Sequence, residues 1–210
     1  MARFGIRPKT KVFGVPIPEI RKLAKLAGKN HELALKLWDT KIHEARILAG
    51  LVAEHEKLTE KQIIKWAEDF DSWDVVDQVC MNLFDKSKTA KRLILQFSKS
   101  KEEFVKRTAF SLMAALASHD KKMTEKDFIK FFPLIKRAST DERNFVRKAV
   151  NWALRGIGKR NMALNKEAVK LAKGIRQLAD KNNSKSAKWI ALDATRELTS
   201  EKTLKRIKNA

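Results

Sequence analysis

The chain has 210 residues, 43% of them hydrophobic, enough to build a core for one domain or one continuous helical array. Its 46 Lys and Arg outnumber 25 Asp and Glu, giving a formal net charge of +21 that a globular enzyme for neutral metabolites does not need. Such an excess suits a partner rich in phosphate, or, more blandly, a protein that is basic for solubility or assembly.

A single cysteine, Cys80, excludes an intramolecular disulfide and a CxxC metal site, and its helical context makes it a small buried hydrophobe. No stretch reads as a signal peptide or approaches the roughly 18 consecutive apolar residues of a membrane span. The expectation is a cytoplasmic protein, nucleoid-associated if prokaryotic, without membrane, metal or organic cofactor.

Residues 1–15 are basic and contain Gly5, Pro8 and Gly14, a lead-in with little regular structure; 16–210 are expected to form a single HEAT-like α-solenoid domain. Pro16 and Pro18 open the first helix, whose apolar positions Ile20, Leu23, Ala24 and Ala27 share a face, and Gly28 closes it. HELALKLW from His31 is a second helix, and a third runs from Lys41. Thr59 with Gln62 is a capping-box pattern. Ser72 caps WDVVDQVCMNLF, and a helix from about Lys88 to Phe97 follows. Helices are also expected over Glu167 to Asp180, Ser186 to Leu198 and a tail from Glu201. Sustained alternation and hairpin turns are absent from the sequence, so the fold class is all-α.

FVKRTAFSLMAALA (Phe104 to Ala117) and FVRKAVNWALRGIG (Phe145 to Gly158) are near-echoes: aromatic, aliphatic, two cations, then a mixed apolar helix. Self-similar helical units recurring at roughly 30–45 residues are the signature of a stacked solenoid. Helix starts near Lys41, Ser72, Lys101, Asp141 and Lys185 mark the second members of successive pairs, expected to line a basic concave groove. On those helices Trp73 and Asp77 lie at i and i+4, Arg107 near the start of an apolar run, and Trp152 and Arg155 at i and i+3. Arg147 and Lys148 precede Trp152 by about a turn, and Lys188 adjoins Trp189. Each has an ordinary structural explanation, a core indole or a local ion pair. Trp38 and Trp66 belong to the core, and His31, His43, His55 and His119 lack metal-ligand spacing.

The strings SWDVVDQ, FVKRTAF and DERNFVRKAVNWALRGIGKRN resemble the AlkD-like family of DNA alkylation repair glycosylases, and FGVPIPEIRKLAK and LWDTKIHEARILA resemble its opening helices. The likeness runs from about Val12 to Leu198, and an N-terminal helix of the best-known members is expected to have no counterpart in these residues. The resemblance implies a HEAT-like solenoid whose concave basic groove holds double-stranded DNA and which excises cationic N3- and N7-alkylated purines. It implies a catalytic Asp77, Trp73 and Trp152 around the lesion, Arg107 as a phosphate clamp, and Arg155 on DNA. Arg147, Lys148, Lys159, Arg160 and Lys188 are further candidates for the DNA backbone. A monomer without cofactor or metal is expected. Two other readings stay open: a non-catalytic HEAT-repeat protein recognising damaged or branched nucleic acid, and an interaction solenoid with an acidic protein partner.

Overall fold

The computed structural model describes residues 5–209, so Met1 to Phe4 of the expected lead-in, and Ala210, lie outside the described residues. Among the described residues no strand forms, and one isolated bridge joins Lys11 to Ile42. They fall into two compact units, one ending at Leu93 and the other beginning at Ile94.

The first unit contains α1 (Ile17–Ala27), α2 (His31–Asp39), α3 (His43–Val52), α4 (Glu60–Asp69) and α5 (Trp73–Asn82); α6 (Lys88–Ser98) carries the junction in its sequence. Pro16 caps α1, and Gly28 ends it at φ 66°, where a side chain would be strained. The Thr59–Gln62 capping box forms at the start of α4. α3 begins at His43 and not at Lys41, because Lys41 takes a left-handed φ of 55°. α3 packs closely on α5: a Cβ at Gly50 would lie 3.0 Å from Val79 Cγ2. Trp38 and Trp66 stack with centroids 3.9 Å apart, both at most 2% exposed, and Cys80 is fully buried.

Three cross-links in this unit share one spacing. Glu44 accepts the N–H of Phe13, Trp38 donates to Asp69, and His43 meets Asp74, each pair 31 residues apart. Glu44 also accepts from Gly14, and Asp71 from Thr10, so one buried and one partly buried carboxylate tie residues 10–14 to the helices without regular structure of their own.

The second unit contains α7 (Glu103–His119), α8 (Glu125–Ile129), α9 (Phe132–Ala138), α10 (Asn144–Gly158), α11 (Met162–Asn182), α12 (Lys185–Leu198) and α13 (Glu201–Lys208). Pro133 falls in the first turn of α9, which splits TEKDFIKFFPLIKRA into two helices. Asn161 caps α11, starting it well before Glu167. α7 and α10 run side by side in the same direction. Phe104 stacks on Phe145 at 5.6 Å near their starts, and a Cβ at Gly156 would meet Ala117 and Ala114 at 3.6–3.7 Å near their ends.

Here a spacing of 42 residues recurs. It separates Phe145 N–H from Glu103, Asn151 from Asp193, Arg155 from Glu197, and Ser184 from Glu142. Helices α7, α10 and α12 are therefore equivalent members of successive repeats, cross-braced by polar contacts over an alanine-rich core that includes Ala109, Ala114, Ala149, Ala153, Ala187 and Ala194.

Candidate nucleic-acid interface

In the first unit, Val75, Val76, Val79 and Cys80 bury one side of α5. Trp73 and Asp77, one turn apart, remain partly exposed on another side. Asp74, on the same helix, has a structural assignment. One oxygen lies 2.9 Å from His43 Nε2 and the other accepts the Ser72 hydroxyl, so Ser72 bonds Asp74 where a side-chain cap of the helix was expected. Burial works against the Asp74 carboxylate, but the bonds to His43 and Ser72 prevail and hold its pKa below the usual range. Burial likewise opposes a charged His43, and the Asp74 bond with the charges of Asp74, Glu44 and Asp71 outweighs it, raising the imidazole. His43 thus holds α3 to α5, a partnership with no local signature in the sequence.

In the second unit, α10 buries Val146, Ala149, Val150, Ala153, Leu154 and Ile157. Lys148, Trp152, Arg155 and Lys159, spaced by three or four residues, rise along its uncovered side. Their environments differ. Lys148 is exposed, whereas Arg155 is bound to Glu197 and lies 3.2 Å from Asp193, and Lys159 reaches Glu197 at 2.5 Å. Burial would raise the Glu197 carboxyl, but Lys159 and Arg155 hold it below its ordinary value.

Arg160 donates to the Ala117 carbonyl at 2.8 Å and lies over the Phe128 ring at 4.5 Å, closing the end of α7. Arg147 covers the half-exposed Trp189 ring at 5.3 Å. Arg107 is 4% exposed, and its Nη1 donates to the Phe145 carbonyl at 2.6 Å. Lys188 stands exposed on α12. The structure thus gathers Trp152, Lys159 and Arg160 around one pocket of about 620 Å³, together with Ser118, Lys121 and Arg206, which the sequence did not single out. Among the described residues no group of three or more His, Cys, Asp or Glu side chains is arranged to hold a metal ion, and no helix is long and apolar enough to cross a membrane.

Residues 1–198 match the family described as DNA alkylation repair enzyme. The chain belongs to that family. No curated protein matches it. A solved structure from "a new family of proteins related to the HEAT-like repeat DNA glycosylases with affinity for branched DNA structures" is similar at 21% identity, over 82% of this chain and 74% of its own, with a TM-score of 0.72. That likeness establishes the fold, an all-α HEAT-like helical repeat. An engineered protein (15% identity, 86% of this chain and 90% of its own, TM-score 0.43) is also similar. So is a designed armadillo repeat protein in complex with a (KR)4 peptide (14% identity, 93% and 83%, TM-score 0.43).

Proposed function

We propose that this DNA alkylation repair family member is a monofunctional glycosylase that removes cationic N3- and N7-alkylated purines from duplex DNA. What carries the reading is the pairing of an indole with a carboxylate, Trp73 and Asp77, one turn apart on a side of α5 away from its buried valines. Binding phosphate gains nothing from a carboxylate, and a positively charged nucleoside does.

An alkylated purine carries a formal positive charge and leaves without a general acid, unlike the sugar leaving groups of glycosidases. The N-glycosidic bond breaks with its electron pair passing to the purine, which departs neutral. Positive charge develops on the deoxyribose, where a fixed carboxylate at Asp77 stabilises it by a few kcal/mol, on the order of other preorganised electrostatic groups. Water adds to the sugar carbon, and its proton passes to Asp77 and then to solvent, leaving an abasic site. The face of Trp73, on the same helix as Asp77, suits a cationic base and contributes about 0.5–2 kcal/mol. Arg147, Lys148, Arg155, Lys159, Arg160 and Lys188 supply charge for the backbone of the duplex, whereas Arg107, expected as a phosphate clamp, is buried and braces α7 against α10 through the Phe145 carbonyl. The protein acts as a monomer.

The test is release of free 7-methylguanine and 3-methyladenine from methylated duplex DNA, resolved by chromatography. Release above the spontaneous rate is expected. DNA binding without release would contradict the glycosylase reading and favour a second one, a non-catalytic protein for damaged or branched DNA. That alternative draws on the description of the 21%-identical structure, whose likeness supports the fold alone.

A further inference from the structure

The pocket beside Trp152 carries more positive charge than the helix α10 supplies. Lys121, just beyond α7, and Arg206, on α13, join Lys159 and Arg160 in its walls, and no carboxylate lines it. The four cations are not equivalent. Lys159 is committed to Glu197, and Arg160 to the carbonyl of Ala117. Lys121 and Arg206 are exposed, and among the described residues neither side chain makes a hydrogen bond or an ion pair.

Cations near helix ends often answer the partial negative charge of terminal carbonyls. Arg160 does so for α7. Lys121 reaches no carbonyl, and in the last turn of α13 Arg206 is accompanied by Lys205 and Lys208, so the end of that helix has other cations. Lys205 is paired with Glu201, whereas Arg206 lines the pocket. Helix electrostatics therefore leaves these two charges unexplained. The Ser118 hydroxyl and the Asn161 side chain add neutral polar groups, and the Trp152 indole adds a flat apolar wall.

We propose that Lys121 and Arg206 form a phosphodiester site that holds a DNA strand where it passes Trp152. The inference rests on the DNA reading above and adds a binding element from outside α10, contributed by the end of α7 and by α13. A phosphodiester matches the site: its negative oxygens take the lysine and the forked guanidinium, while the sugar and base lie against the indole. The fixed charge of Arg160 in the pocket lining favours the same anion.

The experiment measures duplex affinity by fluorescence anisotropy over a series of salt concentrations. It compares wild type, Lys121→Gln/Arg206→Gln, and a control, Lys170→Gln/Lys173→Gln, which removes two charges from α11. Circular dichroism checks that each variant is folded. Loss of two phosphate contacts lowers the slope of log affinity against log salt by about 2 and weakens binding to all sequences alike. The control slope is expected to stay at the wild-type value. Equal losses in both variants, or none in the pocket variant, would overturn the site and leave only a diffuse field. Displacement of duplex by inorganic phosphate at constant ionic strength would mark a free-anion site and also overturn it. Failure of wild type to bind duplex at all would sink the DNA reading itself, a result distinct from either.

Discussion

Glu197 sets how much of the positive charge on α10 is free to meet an anion, since it holds both Arg155 and Lys159. All three side chains are less than a third exposed, so the ion pairs are only partly screened. Because the folded carboxyl is held below its ordinary value, these pairs stabilise the fold above the usual glutamate range. That contribution is lost as pH falls through the lower, folded value. Glu197→Gln is expected to cost about 1–2 kcal/mol of stability at pH 7, a charge-assisted bond discounted for exposure, and to shrink that difference in acid. It is also expected to tighten DNA binding and steepen its salt dependence, by releasing two cations. Denaturant titrations at pH 7 and pH 3, with affinity at several salt concentrations, check both. Weaker binding by the variant would mean that Glu197 aligns these cations for phosphate and does not compete with it.

At the scale of elements, the close packing of α10 with α11 and α12 depends on Gly158. A Cβ there would lie 2.8 Å from both Ala168 Cβ and Leu198 Cδ2, and both residues are fully buried. Gly156, one turn from Trp152, has a nearest neighbour at 3.6 Å, an ordinary contact. Gly158→Ala is therefore expected to destabilise by about 1–3 kcal/mol through overpacking, despite the better helix propensity of alanine. Gly156→Ala is expected to be neutral or stabilising by up to about 1 kcal/mol, and thermal melts of the two variants separate these outcomes. Equal melting temperatures would show that α12 can move away without cost.

Much of this helical frame was legible in advance, because its signals are local. The Thr59–Gln62 box, the Gly28 stop and the apolar spacing of α1, α7 and α10 lie within single turns of sequence. The echo of Phe104 in Phe145 marked a helical repeat, and in the fold the two rings stack on one another. Boundaries set by a single unusual backbone angle were harder: Lys41 gives no sign of its positive φ, and Pro133 sits inside an otherwise continuous helical pattern. For the candidate site, the sequence offers residue types and the fold supplies their environments. Nothing near Arg160 shows that a carbonyl 43 residues earlier will bind it, nor anything near His43 that Asp74 awaits 31 residues on. Lys121 and Arg206 belong to no motif, and only the folded second unit shows them sharing a pocket with Trp152.

Over the whole molecule, a net charge of +21 and membership of the DNA alkylation repair enzymes point to the same partner from independent directions. Charge alone gives affinity for any phosphate backbone, and it would serve a silent DNA-binding protein as well as a glycosylase. Under the proposed mechanism the difference between them lies in Asp77, a carboxylate that would oppose phosphate binding and favour a sugar losing a cationic base. The most direct test compares base release from methylated duplex by wild type and Asp77→Asn, with the affinity of both for the same DNA. The account predicts that the variant binds at least as well as wild type and releases no 7-methylguanine or 3-methyladenine above background. Release at the wild-type rate by Asp77→Asn would contradict the mechanism.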